Sequence, residues 1–287
     1  MKPPPFNYIR PTSIDEALAA IANNEDAKVL AGGQSLIPML GLRVVSPSVL
    51  IDMNGITELA YIKETKDEIL IGAMTRHSDV KASALVKEHC PLLTEAYYWI
   101  AHQAVRNRGT IGGNIFHADP ASENPAVMLA YDAVMILRSV NGEREVAAKE
   151  FFEDIYEVSA EENELLTEIR IGKRSGEEGH GFTEISPRNG DFAIVAVGAT
   201  ARVVAGKIQG ARIVACGVGP TAQRMTEAEN MLEGVDVNEA NIEAAAEAAA
   251  KAVDPFSDFH ADAMYRRDLT LSLTRRALSD AVQRATS

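Results

Sequence analysis

Cysteine is scarce in this sequence. Among 287 residues there are two, Cys90 and Cys216, which lie far apart. Iron–sulfur clusters and structural zinc usually draw their ligands from closely spaced cysteines, so we expect this chain to hold neither. His77, His102 and His117 lack the i,i+4 spacing of a helical metal site, so no metal ligand is predicted. Two isolated cysteines form no disulfide framework and are typical of a reduced, cytoplasmic setting.

Positive charge and long apolar runs are also in short supply. Acidic residues outnumber basic ones 41 to 28, which gives a formal charge of -13. An excess of this sign argues against nucleic acid and anionic membranes as partners, although backbone N–H groups can still bind an anion locally. No apolar run approaches the ~18 residues of a membrane-spanning helix, so no integral membrane segment is expected. The Pro-rich start MKPPPFNYIR lacks the apolar core of a secretory signal.

No self-contained catalytic constellation is visible. Ser35 does not stand in a GxSxG elbow, and the GxxxxGK[ST] and GxGxxG phosphate fingerprints are absent. No paired acid and base and no activated nucleophile stand out, so no catalytic residue is assigned. If the chain is part of an enzyme, we expect a bound cofactor to carry the chemistry.

Helical and strand-like segments alternate along the chain, which favours an α+β protein. A helix starts at Thr12 or Ser13, where a hydroxyl side chain precedes an acidic first turn. The dipeptide Asn141-Gly142 predicts a hairpin turn, and the stretch SGEEGHG is the best candidate for a linker. The other predicted segments are strands at 27–30 and 49–52, an aromatic helix at 93–105 and a final helix at 264–281, with the linker at 175–181.

A first glycine motif, KVLAGGQS, runs from Lys28 to Ser35. A strand ends at Leu30 and two glycines follow, which lets the backbone fold tightly and present successive N–H groups. Gln34 and Ser35 add side-chain donors. Such a nest suits phosphate oxygens, but on its own the motif is also explained by an ordinary tight turn.

A second motif, TIGGN, repeats this pattern between Thr110 and Asn114, just after Arg106 and Arg108. Two such loops in one chain predict a diphosphate held from both sides. Glu123 follows shortly afterwards. Its carboxylate can accept a hydrogen bond from a ribose or ribityl hydroxyl, or it is only a solvated charge at a helix N-terminus.

Together the two motifs resemble the FAD-binding medium subunit of the molybdenum hydroxylases, the family of CO dehydrogenase, heterocycle dehydrogenases and xanthine dehydrogenase. The resemblance covers nearly the whole chain, including AVRNRGTIGGNIFHADPASE, LLTEI and GDFA. It implies an FAD-binding domain of the PCMH/VAO-like type at 1–175, with two α+β subdomains at about 1–55 and 56–175. A smaller C-terminal α+β domain with a three-stranded sheet is implied at 176–287.

The resemblance also implies a set of FAD-binding residues. The two glycine motifs hold the diphosphate, and Glu123 contacts the polyol region of the flavin. Thr183 and Glu184 stand where the family often has a lysine, so the side chain that contacts the flavin from that strand stays open. The expected set is Lys28, Val29, Leu30, Ala31, Gly32, Gly33, Gln34, Ser35, His102, Thr110, Ile111, Gly112, Gly113, Asn114 and Glu123, with Leu166, Asp191 and Phe192 near the flavin ring.

Electron transfer within a heterotrimer is the implied function. A large subunit with a molybdopterin cytosine dinucleotide-type molybdenum cofactor oxidises the substrate, and a small subunit with two [2Fe–2S] clusters passes electrons to the FAD of this chain. The family generally forms a dimer of heterotrimers. The expected substrate is an aromatic N-heterocycle or a CO-type small molecule, and the acceptor is oxygen, a quinone, a cytochrome or NAD.

Two alternatives remain open at this point. One is a stand-alone VAO-like flavin oxidoreductase, which needs its own catalytic base or a covalent flavin. The other is a non-enzymatic scaffold that retains the fold; the intact glycine motifs argue against it.

Overall fold

The computed structural model describes residues 2–174 and 177–286, whose main sheets follow one another along the chain. The first is a three-stranded parallel sheet with the strand Val49–Asp52 at its centre. Ser13 caps the first helix by accepting from the Glu16 N–H at 3.2 Å, so the predicted helix start is confirmed. Both strands predicted here are confirmed as well. The elements are β1 (Asn7–Ile9), α1 (Ile14–Ala22), β2 (Ala27–Leu30), α2 (Leu36–Leu42) and β3 (Val49–Asp52).

A five-stranded antiparallel sheet forms the second unit. Its strands, with a separate β8–β9 pair, are β4 (Ile62–Glu64), β5 (Glu68–Gly72), β6 (Val134–Ser139), β7 (Gly142–Ala147), β8 (Phe152–Asp154), β9 (Glu157–Val158) and β10 (Leu165–Gly172). The order β4-β5-β10-β6-β7 places β10 at the centre of the sheet. Strands β6 and β7 form the hairpin predicted around Asn141-Gly142, which is therefore confirmed.

Short helices pack on this second sheet. They are α3 (His77–Ala82), α4 (Ala84–His89), α5 (Pro91–Ala96), α6 (Gln103–Arg106), α7 (Ile111–His117), α8 (Glu123–Ala130) and α9 (Ala148–Phe151). The single aromatic helix predicted for 93–105 is wrong, because the chain leaves the helix after Ala96. Ala101 takes a left-handed φ of 51°, and Arg106 donates to the Ile100 carbonyl oxygen at 2.9 Å. A continuous helix would reserve that oxygen for a backbone N–H one turn further on.

Three long antiparallel strands and a two-residue edge strand form the third sheet. Its elements are β11 (Glu178–Ile185), β12 (Val195–Val204), β13 (Lys207–Cys216), β14 (Gln223–Arg224), α10 (Thr226–Leu232), α11 (Glu239–Ala252) and α12 (Ala263–Ala285). The helix predicted at 264–281 is confirmed and runs slightly longer. No described helix is at once long enough and apolar enough to cross a bilayer.

The linker predicted at 175–181 lies partly outside the described residues, which omit Ser175 and Gly176. From Glu178 onward the prediction is wrong, because the chain is already in strand β11. Two glycines misled the prediction. A methyl group on Gly179 would lie 1.9 Å from the Ala281 carbonyl oxygen, and the backbone of α12 therefore rests directly on the strand. Glycine suits a flexible connection and a close backbone contact equally well.

Both faces of the third sheet are covered. Along β12 the side chains alternate: Val195 and Val197 pack with Leu273 of α12, whereas Ala196 joins Phe182 in the core of the second unit. Helix α8 lies against this second face. A polar side chain on that face is therefore enclosed between two units of the protein.

Substituting Gly179 with alanine tests the contact between α12 and β11. Because the added methyl group meets backbone atoms, we expect G179A to lower the free energy of unfolding by about 1–3 kcal/mol. Chemical denaturation measures the change. Gly172→Ala is the matched control, since a methyl group there meets nothing within 4 Å. Equal stability of the two variants would contradict the close packing.

Candidate functional site

The candidate site begins at the turn that follows β2. Gly33 takes a left-handed φ of 72°, and the Gly32 carbonyl oxygen accepts from the Gln34 side-chain amide at 3.2 Å. The four backbone N–H groups of residues 32–35 donate to no other group in the described residues. Successive unpaired N–H groups of this kind form an anion-binding concavity. We refer to residues 32–35 as the N–H nest.

The second glycine motif packs backbone to backbone against this nest. A methyl group on Gly32 would lie 2.5 Å from both the Arg108 carbonyl oxygen and the Gly109 Cα atom. A methyl group on Gly113 would come within 3.2 Å of the Ala31 Cβ atom. The two motifs, distant in sequence, are therefore parts of one structure.

The two motifs are not equivalent, however. Expected to be a loop, the second motif instead opens helix α7, with the Thr110 hydroxyl accepting from the Gly113 N–H at 3.1 Å. The N–H groups of Ile111 and Gly112 donate to Thr75 and Ala73 at 3.0 and 2.9 Å. Since all three leading N–H groups are engaged, this motif offers no second nest. It supports the first, with Ile111 fully buried.

Asn114 is the residue of the second motif that presents a free polar group. Its side-chain oxygen accepts from the Ser122 hydroxyl at 2.9 Å and from the Asn124 amide at 2.8 Å. These two bonds fix the orientation of the side chain. Its amide nitrogen has no partner in the described part of the chain and is available to a ligand.

Two residues that hold the nest were missed from the sequence. Asn54 donates to the Ala31 carbonyl oxygen at 2.9 Å, and Arg76 donates to the Asn54 side-chain oxygen at 2.6 Å. Arg76 also donates to the Arg108 carbonyl oxygen. The pKa of Arg76 is lowered first by burial and then by the nearby positive charge of Arg108. Two cationic side chains therefore lie close together beside the nest. No local pattern in the sequence marks Asn54 or Arg76, because neither belongs to a glycine motif.

The other end of the site is formed by the loop between β11 and β12. Gly190 lies against His102: a methyl group on Gly190 would be 2.3 Å from the His102 Nδ1 atom. In the same loop Asp191 pairs with Arg188 at 2.9 Å, and the Phe192 side chain is 55% exposed. The structure thus places His102 beside the loop of Asp191 and Phe192, although that loop lies far from His102 in sequence.

Leu166 and the strand β2 residues occupy supporting positions. Leu166 is buried in β10 beside a register shift, where the Thr167 carbonyl oxygen accepts from the Ala73 N–H at 2.9 Å. Since Ala73 also accepts from Gly112, it links β10 to the second motif. Lys28, Val29 and Leu30 form β2, which delivers the chain to the nest.

Glu123 is enclosed. It is 4% exposed at the first turn of α8, so its explanation as a solvated charge is wrong. Burial, followed by repulsion from Glu184, raises the pKa of Glu123 well above its ordinary value. Glu184, also 4% exposed, has a pKa raised by burial to about 7. Two carboxyl groups therefore share a poorly solvated space between α8 and the third sheet.

Two family models together match nearly all of the chain. The FAD binding domain in molybdopterin dehydrogenase matches residues 4–173, and the CO dehydrogenase flavoprotein C-terminal domain matches residues 180–281. The chain belongs to the FAD-binding medium subunits of the molybdenum hydroxylases. The medium subunit of carbon monoxide dehydrogenase from Hydrogenophaga pseudoflava is 38% identical, over 98% of both chains. The 6-hydroxypseudooxynicotine dehydrogenase complex subunit alpha of Paenarthrobacter nicotinovorans is 41% identical, over 99% of this chain and 97% of that protein.

Solved structures have the same fold as this medium subunit. The chain superposes on one of the carbon monoxide dehydrogenase of Hydrogenophaga pseudoflava with a TM-score of 0.97, at 40% identity and covering 99% of each chain. A chain of quinoline 2-oxidoreductase from Pseudomonas putida 86 gives 0.96, at 35% identity and full coverage of both. The predicted α+β fold, with an FAD-binding domain and a smaller C-terminal domain, is confirmed.

The residues of this medium subunit fit FAD. Four unpaired N–H groups in the nest, the free Asn114 amide and the adjacent positive charge of Arg108 together suit a diphosphate. Because Gly32 and Gly113 have no side chains, the two chain segments can pack with their backbones in contact.

Replacing Gly32 with alanine is expected to release FAD from this medium subunit. Because the methyl group meets the Arg108 and Gly109 backbone, the nest must shift and its hydrogen bonds to the diphosphate weaken. We expect at least about tenfold weaker FAD binding, the loss of one hydrogen bond to a charged group. Flavin absorbance per protein measures it, with G172A as the control. Full flavin content in G32A at unchanged affinity would exclude this packing as the basis of the site.

Proposed function

We propose that this chain is the FAD-holding electron-transfer subunit of a heterotrimeric molybdenum hydroxylase. The N–H nest, with four unpaired donors set against the second glycine motif, is the observation that carries this proposal. A turn with no ligand has no need of a second chain segment packed against its glycine, nor of Asn54 and Arg76 to hold its carbonyl side. Resemblance to medium subunits over the whole chain supports it.

Each part of the site then has a role toward FAD. The nest and the Asn114 amide bind the diphosphate, and residues 28–30 position the nest. Glu123 faces the polyol region. The flavin ring lies beside Leu166 and the loop of Asp191 and Phe192, with His102 supporting that loop through Gly190. The boundaries at about 55 and 175, which separate two FAD-binding subdomains from a C-terminal domain, are part of the proposal.

FAD supplies the redox chemistry, because it accepts electrons from one-electron carriers and passes them to another acceptor. The chain itself contributes binding and orientation. The electron donor is a small partner subunit with two [2Fe–2S] clusters, and a large partner with a molybdopterin cytosine dinucleotide cofactor oxidises the substrate. Relatives described as medium chains and as a complex subunit agree with such partners. A dimer of heterotrimers and a cytoplasmic location complete the proposal.

An aromatic N-heterocycle is the substrate class we propose for the complex. Relatives at 36–41% identity are subunits of enzymes named for nicotine, caffeine and 6-hydroxypseudooxynicotine, and two others at 36% and 38% are medium chains of enzymes named for glyceraldehyde and carbon monoxide. The large subunit selects the substrate, so no residue of this chain is assigned to that choice.

Anaerobic reduction of the flavin tests this function. We expect an N-heterocyclic substrate to bleach the flavin of the assembled complex but not that of the isolated chain, because electrons reach it only through the partners. Stopped-flow absorbance measures the reduction. Dithionite, a direct reductant, is the control that shows the isolated flavin to be redox-active. Oxidation of an organic substrate by the isolated chain would instead favour the stand-alone flavin oxidoreductase.

The substitution Asn114→Asp separates the structural role of Asn114 from its role toward the cofactor. An aspartate still accepts from Ser122 and Asn124, but it replaces the free amide with a negative charge facing the diphosphate. We expect unchanged thermal stability and FAD binding weakened by at least about tenfold. Ser122→Ala, which removes one supporting bond and leaves the amide, should bind FAD nearly normally. If both variants bind FAD equally well, the amide does not face the cofactor.

A further inference from the structure

Glu184 lies on the enclosed face of the third sheet. In register it stands beside Ala196 of β12, which in turn pairs with Cys216 of β13, so the three residues form one row facing α8. Both carboxyl oxygens of Glu184 are buried and have no hydrogen-bond partner among the described residues. Leaving a buried carboxylate without donors is costly, so this group is either neutral or completed by a ligand.

Glu123 approaches Glu184 from the opposite side. The turn before α8 is tied to the end of β13, where the Gly217 N–H donates to the Pro120 carbonyl oxygen at 2.8 Å. This contact holds the first turn of α8, and with it Glu123, over the row that contains Glu184. A hydrogen bond from its own backbone N–H lowers the pKa of Glu123, but by less than burial and the charge of Glu184 raise it. Two carboxylates facing each other in a buried space cannot both be ionised at neutral pH.

The surroundings add negative or neutral groups. Asp119 lies in the turn before α8, and its charge further raises the pKa of Glu123. From β13, Cys216 faces the pair, and burial followed by the charges of Glu123 and Glu184 raises the pKa of its thiol. Tyr97, at the end of α5, has a phenol whose pKa is raised by burial, with the charge of Glu123 also raising it. None of these groups neutralises a second carboxylate.

Two nearby donors are already engaged. Ser186, two residues further along the chain from Glu184, donates to the Arg188 carbonyl oxygen at 3.1 Å, and its interaction with Glu184 lowers the pKa of that carboxyl group by less than burial raises it. From α12, on the other face of the sheet, Arg266 donates to the carbonyl oxygens of Ile194 and Gly217 and pairs with Asp258 at 2.8 Å. Within residues 2–174 and 177–286 the carboxyl pair therefore has no counter-ion.

The position of the pair connects it to the cofactor site. Glu123 follows directly on Ser122, which binds Asn114 of the second motif. Glu184 is the last residue but one of β11, the strand that leads into the loop of Asp191 and Phe192. The pair thus spans the wall between the diphosphate end and the flavin end of the proposed site.

We propose that Glu123 and Glu184 retain one proton between them and that FAD binds only to this protonated pair, whose neutral carboxyl group donates a hydrogen bond to an oxygen of the polyol or flavin. This inference rests on the proposed function. It makes Glu184, whose carboxyl oxygens are buried, a positioning residue that acts through Glu123, in the position where the family often has a lysine. A protonated carboxyl group supplies the donor that a lysine would supply, without adding a positive charge.

The sign of the resulting pH dependence follows from the pair. FAD brings a negatively charged diphosphate and displaces water, so bound FAD further disfavours the ionised pair and binding is linked to proton uptake. Affinity is then complete below neutral pH and falls as the pH rises through the pKa of Glu184, about 7, and that of Glu123, which is raised. Protonation of the carboxyl pair is thus a condition for FAD binding and precedes any electron transfer.

FAD titration of the full-length chain, freed of flavin, tests the linkage. Between about pH 6 and pH 9 we expect Kd to rise with pH, by up to about tenfold per pH unit at the steepest point. Glu184→Gln keeps the shape and a hydrogen-bond donor but cannot ionise, so its Kd should rise with pH clearly less steeply over the same range, with only Glu123 left to titrate. The control is Glu178→Gln on the same strand, whose carboxylate already pairs with Arg174 and Thr200; it should behave as the unsubstituted chain does.

Calorimetry in buffers of different ionisation enthalpy gives an independent readout, because it counts the protons taken up with FAD. Toward pH 9, where the free pair has lost its proton, about one proton is expected for the unsubstituted chain, and a clearly smaller number for E184Q. Glu123→Gln provides a second variant if E184Q does not fold, and it should also flatten the pH profile. Circular dichroism at each pH verifies that the chain is folded.

The possible failures are distinguishable. If the folded chain binds no FAD at any pH, the proposed function is wrong. If it binds FAD with the same pH dependence in E184Q and in the unsubstituted chain, the proposed function stands and the shared proton does not exist. If E178Q also removes the pH dependence of the FAD affinity, the effect comes from the overall charge of the strand. That result would equally overturn the role of Glu184.

Discussion

The close approach of Gly32 to the backbone of Arg108 and Gly109 is the contact on which the site depends. It brings together the turn after β2 and the segment between α6 and α7, which lie far apart in sequence. With no side chain between them, the N–H groups of residues 32–35 stay unpaired, while the leading N–H groups of the second motif are engaged in holding it in place. The parallel and antiparallel sheets are thereby joined at the point where the cofactor is proposed to bind, so the site and the packing of the two units are one feature.

Close approach without side chains recurs at the other end of the molecule. Gly179 and Gly181 let helix α12 lie on strand β11, and the opposite face of that sheet joins the core of the second unit. The loop of Asp191 and Phe192 is therefore held by both neighbours of its sheet, although Phe192 itself is exposed. The enclosed face also explains why the carboxyl groups of Glu123 and Glu184 are buried together. Glu123 belongs to the second unit and Glu184 to the third sheet, and each is covered by the other unit.

The sequence predicted the local elements well where they depend on neighbouring residues. The Ser13 cap, the strands at 27–30 and 49–52 and the Asn141-Gly142 hairpin rest on turn and cap chemistry that acts within a few positions. Both glycine motifs could also be identified from the sequence. It did not show that the second is the first turn of a helix with its N–H groups engaged, because their acceptors, Ala73 and Thr75, come from a distant strand end. Asn54, Arg76 and Glu184 were not assigned roles for the same reason: only tertiary contacts give them their surroundings.

The packing of α12 on β11 has a consequence for the order in which the protein is made. Strand β11 opens the third sheet, yet the helix that covers it comes from about a hundred residues further along, as the contact between His180 and Arg284 shows, with a sequence separation of 104. Contacts of such separation form late, since the intervening chain must be ordered first. The cover of β11 therefore depends on the last helix of the chain, so the sheet that carries the loop of Asp191 and Phe192 lacks its packing on one face until α12 has been synthesised.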